Sequence, residues 1–231
     1  MRYDIDVVLD PVGHRLEGTQ RVRWTNRTGV PTSELWWHLY LNAFASSETT
    51  FMRERTGGRS WSPDAGDEGW GWVRVSRMDL ADGTDLLARF EFARPDDDNS
   101  EDFTVARVEL PRPVPPGSAV ELELEFEAQL PEIVDRTGHV DDFHMVGQWF
   151  PKLGVFEGEG GWNCHQFHAA SEFFADFGSY RVEVTVPQDW VVGASGVEVE
   201  REAMGETQRL VFAADNVHDF AWCAAPDSLM E

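Results

Sequence analysis

The segment SAVELELEFEA, residues 118–128, decides how this chain is built. Val120, Leu122, Leu124 and Phe126 alternate there with Glu121, Glu123, Glu125 and Glu127. Successive side chains of an extended strand point to opposite faces, so the pattern predicts a strand with one buried and one solvated side. The same period of two recurs in Tyr180, Val182, Val184 and Val186, in Tyr3, Ile5, Val7 and Leu9, and from Leu16 through Trp24. The apolar sets of 120–126 and 180–186 are expected to share or adjoin one inter-sheet core, each side chain contributing about 1.5–3 kcal/mol by burial. Further strands are predicted over 34–41, 72–80, 86–92, 103–110, 190–194, 197–201, 208–213 and 220–224. Turn signals separate them, among them Asp10-Pro11-Val12-Gly13, Asp82-Gly83 and the stretch from Pro111 to Gly117. No long window carries a helical period. Many short strands with frequent turns predict an all-β fold, a large and mostly antiparallel β-sandwich. Residues 46–71, rich in Gly, Ser and charge, are expected to be a long excursion, and the acidic run 96–102 a solvated hairpin tip. With no internal repeat and no linker, residues 1–231 are expected to form a single domain.

At 231 residues the chain is long enough to bury roughly 70–75% of its unfolded surface. A hydrophobic content of 42% with 12% aromatic is that of a folded chain. The formal charge of −23 argues against nucleic acid and against an anionic membrane surface, both of which are bound through Lys and Arg clusters. An acidic shell also keeps a Trp-rich domain soluble. Cys164 and Cys223 are too few for a disulfide framework, and sequence alone does not place them within bonding distance. The opening MRYDIDVVLD holds no apolar signal-peptide core and no stretch approaches a membrane span, which leaves cytoplasm and cell envelope both open.

Residue types that carry chemistry are present, but sparsely arranged. No His is followed by Glu, so the His-Glu-x-x-His helix of a zincin is absent and no metal site is expected. In Cys164-His165-Gln166-Phe167-His168, a strand would send His165 and His168 to opposite faces, leaving too few ligands for zinc. Asp96-Asp97-Asp98-Asn99 offers oxygen ligands without the spacing of an EF-hand loop. Glu157, Glu159, Glu172 and Asp176 cluster among aromatics, where raised carboxyl pKa values would suit acid–base work; the alternative is that Glu172 and Asp176 accept backbone hydrogen bonds in an irregular connection. Among the ten Trp, Trp24, Trp36, Trp149 and Trp190 fall in strand patterns, while Trp61, Trp70 and Trp72 lie in or beside the polar excursion and are the candidates for a surface, packing under the long loop being the favoured alternative. Lys152, the only lysine, is a candidate for an internal ion pair.

The run from Val146 to Gly196 adds a resemblance. It contains Trp149-Phe150-Pro151-Lys152, Gly161-Trp162, Ser171-Glu172-Phe173-Phe174 and Phe177-Gly178-Ser179-Tyr180. With Tyr3-Asp4-Ile5-Asp6, the stretch from His14 to Gly18, Trp24-Thr25-Asn26, the stretch from His38 to Phe44 and Asp219-Phe220-Ala221-Trp222, it resembles the N-terminal domain of the M1 (gluzincin) zinc aminopeptidases, in their bacterial branch. The resemblance implies a saddle-shaped β domain without the zinc. Such a domain packs on a C-terminal thermolysin-like catalytic domain of the same polypeptide, walls its cavity and lends a polar residue to the amino group of the peptide substrate. The chain alone is then expected to be inactive, its only cofactor being zinc in the absent catalytic domain. The lent residue is usually a Gln several positions before Phe-Pro. Here the stretch from Asp141 to Gly147 has none, and Gln148, nearer and out of register, is the substrate-binding candidate. The rival reading, from composition, is a free-standing acidic binding module that holds a carbohydrate or a cationic peptide through exposed Trp.

Overall fold

Alternating sequence becomes paired strand along most of the chain. The structure, a computed structural model, describes residues 1–59, 62–64, 66–132 and 135–229. In chain order the strands are β1 (Arg2–Asp10), β2 (Arg15–Thr25), β3 (Thr32–His38), β4 (Trp72–Leu80), β5 (Phe90–Ala93), β6 (Val105–Val114), β7 (Ala119–Gln129), β8 (Gly138–Val140) and β9 (Phe143–Val146). They continue as β10 (Lys152–Leu153), β11 (Val155–Phe156), β12 (Trp162–Asn163), β13 (Gly178–Pro187), β14 (Trp190–Ala194), β15 (Val197–Met204), β16 (Thr207–Val217) and β17 (Trp222–Pro226). A seven-stranded sheet runs β15-β16-β13-β1-β2-β7-β4, with four-stranded sheets β10-β3-β6-β5 and β14-β17-β9-β8 and a β11-β12 ribbon. β1 and β13 are parallel; their other neighbours, β2 and β16, are antiparallel to them. The fold is an all-β sandwich.

One apolar cluster joins the sheets. Leu122, Leu124 and Phe126 of β7 are buried in it with Tyr180, Val182, Val184 and Val186 of β13, while Val120 is only half-buried. Leu35 and Trp37 of β3, Val108 of β6 and Trp222 of β17 close the core from the other sheets. The opposite face of the large sheet stays wet: Glu121, Glu125 and Glu127 are exposed, Glu121 pairing with Arg23 and Glu125 with Arg77. A depression of about 430 Å³ on this face is lined by Asp4, Asp6, Arg21, Arg77, Glu123 and Arg181 among others, charges that pair in part with one another.

Three expectations change. Residues 46–71 contain a helix, α1 (Thr50–Thr56), too short to show a period; Thr49 caps its start and Gly57, at φ +62, ends it in the left-handed region. The 86–92 segment begins as a 3₁₀ turn over Leu87–Arg89, because the Asp85 carboxylate accepts the Leu87 N–H at 2.8 Å. Residues 96–102 are a solvated turn only in part: Asp96, Asp97, Asp98, Ser100 and Glu101 are exposed, but the turn is anchored at two buried residues. Asp102 is fully buried and accepts from Thr104 N and Thr50 N, and Asn99 donates to Glu48 O, so these two residues tie the turn to the start of α1.

Candidate functional site

The Trp149–Gly154 segment is fastened from several sides, and this turns its lysine inward. Trp149 Nε1 donates to Phe220 O at 2.9 Å, Gln20 Nε2 to Pro151 O at 2.9 Å, and Leu153 N to the Tyr3 hydroxyl at 3.0 Å. Lys152 is left 1% exposed, and a buried ammonium needs partners. It donates to Asp219 Oδ1 at 2.6 Å and to Gln148 Oε1 at 2.8 Å, and Gln148 Nε2 donates to Asp219 Oδ2. Burial holds Lys152 below the ordinary lysine range, against the raising effect of Asp219. Gln148 adopts φ +54 and is buried, both ends of its carboxamide engaged in this triad. The internal ion pair is therefore present, but its acid, 67 residues away, carried no local signal.

The β3–β10 ladder sets Lys152 opposite His38. The His38 ring stacks on Tyr40 with centroids 4.5 Å apart and planes 7° apart. Burial first, then the charges of Lys152 and His165, push its pKa down to about 3, so it is neutral. Beyond it opens a cavity of about 310 Å³ lined by His38, Tyr40, Asp96, Phe167, Glu172 and Phe174 among others.

The Cys164–His168 segment is not in a ladder, and its two histidines do not diverge as a strand would require. Both rings meet one carboxylate, and a turn bonded from Ser171 N to His168 O follows. His165 Nδ1 lies 2.6 Å from Asp96 Oδ1, and His168 Nε2 lies 3.5 Å from Asp96 Oδ2. Burial opposes the charge of His168, but its hydrogen bond to Glu54 and the charges of Glu54 and Asp96 hold its pKa above the ordinary range. Among the described residues no three His, Cys, Asp or Glu side chains gather to hold a metal ion.

The acidic candidates go to separate places. Glu172, its side chain 76% exposed, pairs with Arg136 at 3.0 Å and is no backbone acceptor clasp. Glu157 accepts from Asn163, and Asp176 lies within electrostatic reach of the Met1 amine and Arg27. Cys164, buried, and Cys223, half-buried, are both free thiols. Trp70 and Trp72 are half-buried, Arg74 lying 4.0 Å over the Trp72 ring, and Trp61 lies outside the described residues. No described Trp is exposed. A histidine cluster has no signal in the sequence because His14 stands 130 residues before His144: His14 Nδ1 lies 2.9 Å from His144 Nε2 and its ring stacks on His139 at 3.5 Å. No helix among the described residues is long and apolar enough to cross a membrane.

Solved structures share this arrangement of sheets. An M1 zinc metallopeptidase from Deinococcus radiodurans matches at a TM-score of 0.56 and 18% identity, over 98% of this chain and 42% of that one. The chain has the fold of one part of an M1 zinc metallopeptidase. A point mutant of the same metallopeptidase matches at 0.58 and 17%, and the mutant bound to a Tyr-Ser-Ala substrate at 0.56 and 18%, with the same coverage. The chain thus spans about 42% of the length of the structures it matches. No family model matches the sequence, and a search of curated proteins finds no significant match.

Proposed function

We propose that these residues are the non-catalytic N-terminal domain of an M1-like zinc aminopeptidase, one domain from 1 to 231 that packs on a catalytic domain and walls its substrate cavity. The observation that carries this reading is coverage: nearly the whole chain matches, and it matches less than half of a two-domain metallopeptidase. The missing portion would supply zinc, which polarises the scissile carbonyl and activates water. Gln148 is the residue assigned to the substrate's free amino group. Its Oε1 keeps a second lone pair beside the Lys152 bond, with Asp219 adjacent to supply negative charge. A carbohydrate-binding module is disfavoured, since every described Trp is buried or half-buried.

The test is expression of the 231 residues alone and joined to the coding sequence that follows Glu231. The short form is expected to retain no stoichiometric zinc and to cleave no aminoacyl-arylamide; the long form should do both, with a raised KM in Gln148→Ala. Tightly held zinc with turnover in the short form overturns the reading, as does a following sequence without His-Glu-x-x-His.

A further inference from the structure

We infer that the β8–β9 hairpin is an acid-released latch, held on the body of the domain by three stacked and hydrogen-bonded histidines. The hairpin is short, with 3 residues in β8 and 4 in β9, and β8 is the edge strand of its sheet. Where the long strands turn Val, Leu or Phe to the core, this hairpin turns in His139 and His144, which stand directly opposite each other. Val140 and Phe143 stay outside. The inference does not rest on the proposed parent enzyme.

Both rings meet His14, which lies between β1 and β2 at φ +51. The His14 ring is parallel to that of His139, with centroids 3.5 Å and planes 6° apart, and lies 5.1 Å from that of His144, which also packs on Trp190 of β14. His144 Nδ1 lies 3.1 Å from Asp142 O, a carbonyl that only accepts, so that nitrogen carries the proton and Nε2 keeps its lone pair. Nε2 then accepts from His14 Nδ1 at 2.9 Å. This arrangement requires neutral rings. One added proton is absorbed by exchanging tautomers across the His14–His144 bond, but a second sets two N–H groups against each other. Neither ring nitrogen of His139 has a hydrogen-bond partner among the described residues, so a charge there would be buried without one.

The surrounding acids do not reverse this. Burial is the largest influence on each ring and holds all three below the ordinary histidine range, although Asp10 and Asp142 favour charge on His14 and Glu132 favours it on His139. Asp10 accepts from Val12 N and Gly13 N, and Glu132 from Asp64 N. Released from the cluster, each ring titrates at about 6.5. The open hairpin therefore binds protons that the closed one excludes, and its population rises as pH falls below that value. Thr137 and Gly147 mark the hinge: the Thr137 hydroxyl donates to Met145 O and accepts from Gly147 N, both at 3.3 Å. Opening reaches Gln148, the next residue, and loosens its triad with Lys152 and Asp219.

Amide hydrogen exchange of the 231-residue chain, read residue by residue by NMR and expressed as protection factors, tests the latch. One proton changes an opening equilibrium by at most about tenfold per pH unit. Protection of the 138–146 amides is expected to fall by more than about tenfold between pH 6 and pH 5, with the amides of β2 and β13 still protected. His139→Phe keeps a stacked ring and removes one titrating group, and should shrink that fall by about threefold. If it does not fold, His14→Asn takes its place, since Asn tolerates the left-handed backbone there. The wild-type profile decides without either variant. Unchanged protection between pH 6 and pH 5 overturns the inference, as does a loss in step with β2 and β13, which would be unfolding of the whole domain. An equal fall in a folded variant also overturns it.

Discussion

Lys152 is the only ammonium side chain in the sequence, and it is held inside. Removing one partner of a buried ion pair strands the other, at a cost of about 3–5 kcal/mol, whereas replacing both with apolar groups is often nearly neutral. Asp219→Ala should therefore lower stability by about 3 kcal/mol or more, and Lys152→Met in the same chain should recover part of that loss. Urea denaturation of the two singles and the double measures it; strictly additive losses would show that the pair is not coupled. A second consequence is chemical. An amine-reactive reagent should label only the Met1 amine of the native chain, and fast labelling at Lys152 would show that the triad opens to solvent. The residue-scale signal in the sequence was partial. A lone lysine in an aromatic and proline setting pointed to an internal pair, but which acid answers it depends on Asp219 arriving beside it through Trp149 and Phe220.

At the scale of elements, the long strands were legible because burial on one side imposes the period of two. β7 and β13 alternate as their sequences do. β10, β11 and β12 are two residues each and carry no period, so their pairing is decided by what packs around them. β2 and β7 also show a feature that periodicity hides. Gly18 pairs with Phe126, whose ring lies over the glycine: a Cβ there would stand 2.3 Å from Phe126 Cζ. Gly18→Ala should cost about 1–3 kcal/mol by overpacking, and combining it with Phe126→Leu should cost less than the sum of the two single changes. Thermal or urea melts of the three variants decide it, and a neutral Gly18→Ala would mean that the ring moves aside freely. The edge strand β15 is exposed at all eight positions, where Val197 and Val199 are interleaved with Glu198, Glu200 and Glu202. Charges along an unpaired edge oppose the addition of another strand.

For the whole molecule, buried neutral histidines set the response to acid. His38 is pushed down to about 3, and burial, then the neighbouring charges of His14 and His139, pushes His144 down to about 4 despite its bond to Asp142 O. In the unfolded chain each titrates near the ordinary value of about 6.5. Between those limits the unfolded state binds the protons that the folded state refuses, so stability is present above about pH 6.5 and is lost as pH falls toward the folded values. Near pH 5 these two alone should give a slope approaching two protons, about 2.7 kcal/mol per pH unit, and His14 and His139, also lowered by burial, add to it. His144→Gln should remove about one of the two. His168 has the opposite sign: its pKa is raised, so its contribution is complete below about pH 6.5 and fades as pH rises through the folded value. Urea melts at several pH values give the slope directly, and a flat profile between pH 5 and 6 would show that these imidazoles are solvated.

The sequence by itself determined the class of fold and the inward face of the major strands, since alternation is a local property that burial enforces residue by residue. It determined also that no zincin helix lies within these residues. Tertiary structure alone decided the rest. It bent 164–168 so that two histidines converge on Asp96, anchored Asn99 and Asp102 against the start of α1, stacked His14 on His139, and buried His38 without a hydrogen-bond partner among the described residues. These are contacts between segments 50 to 130 residues apart. No local pattern encodes such contacts, because they depend on how separately legible strands are finally packed against one another.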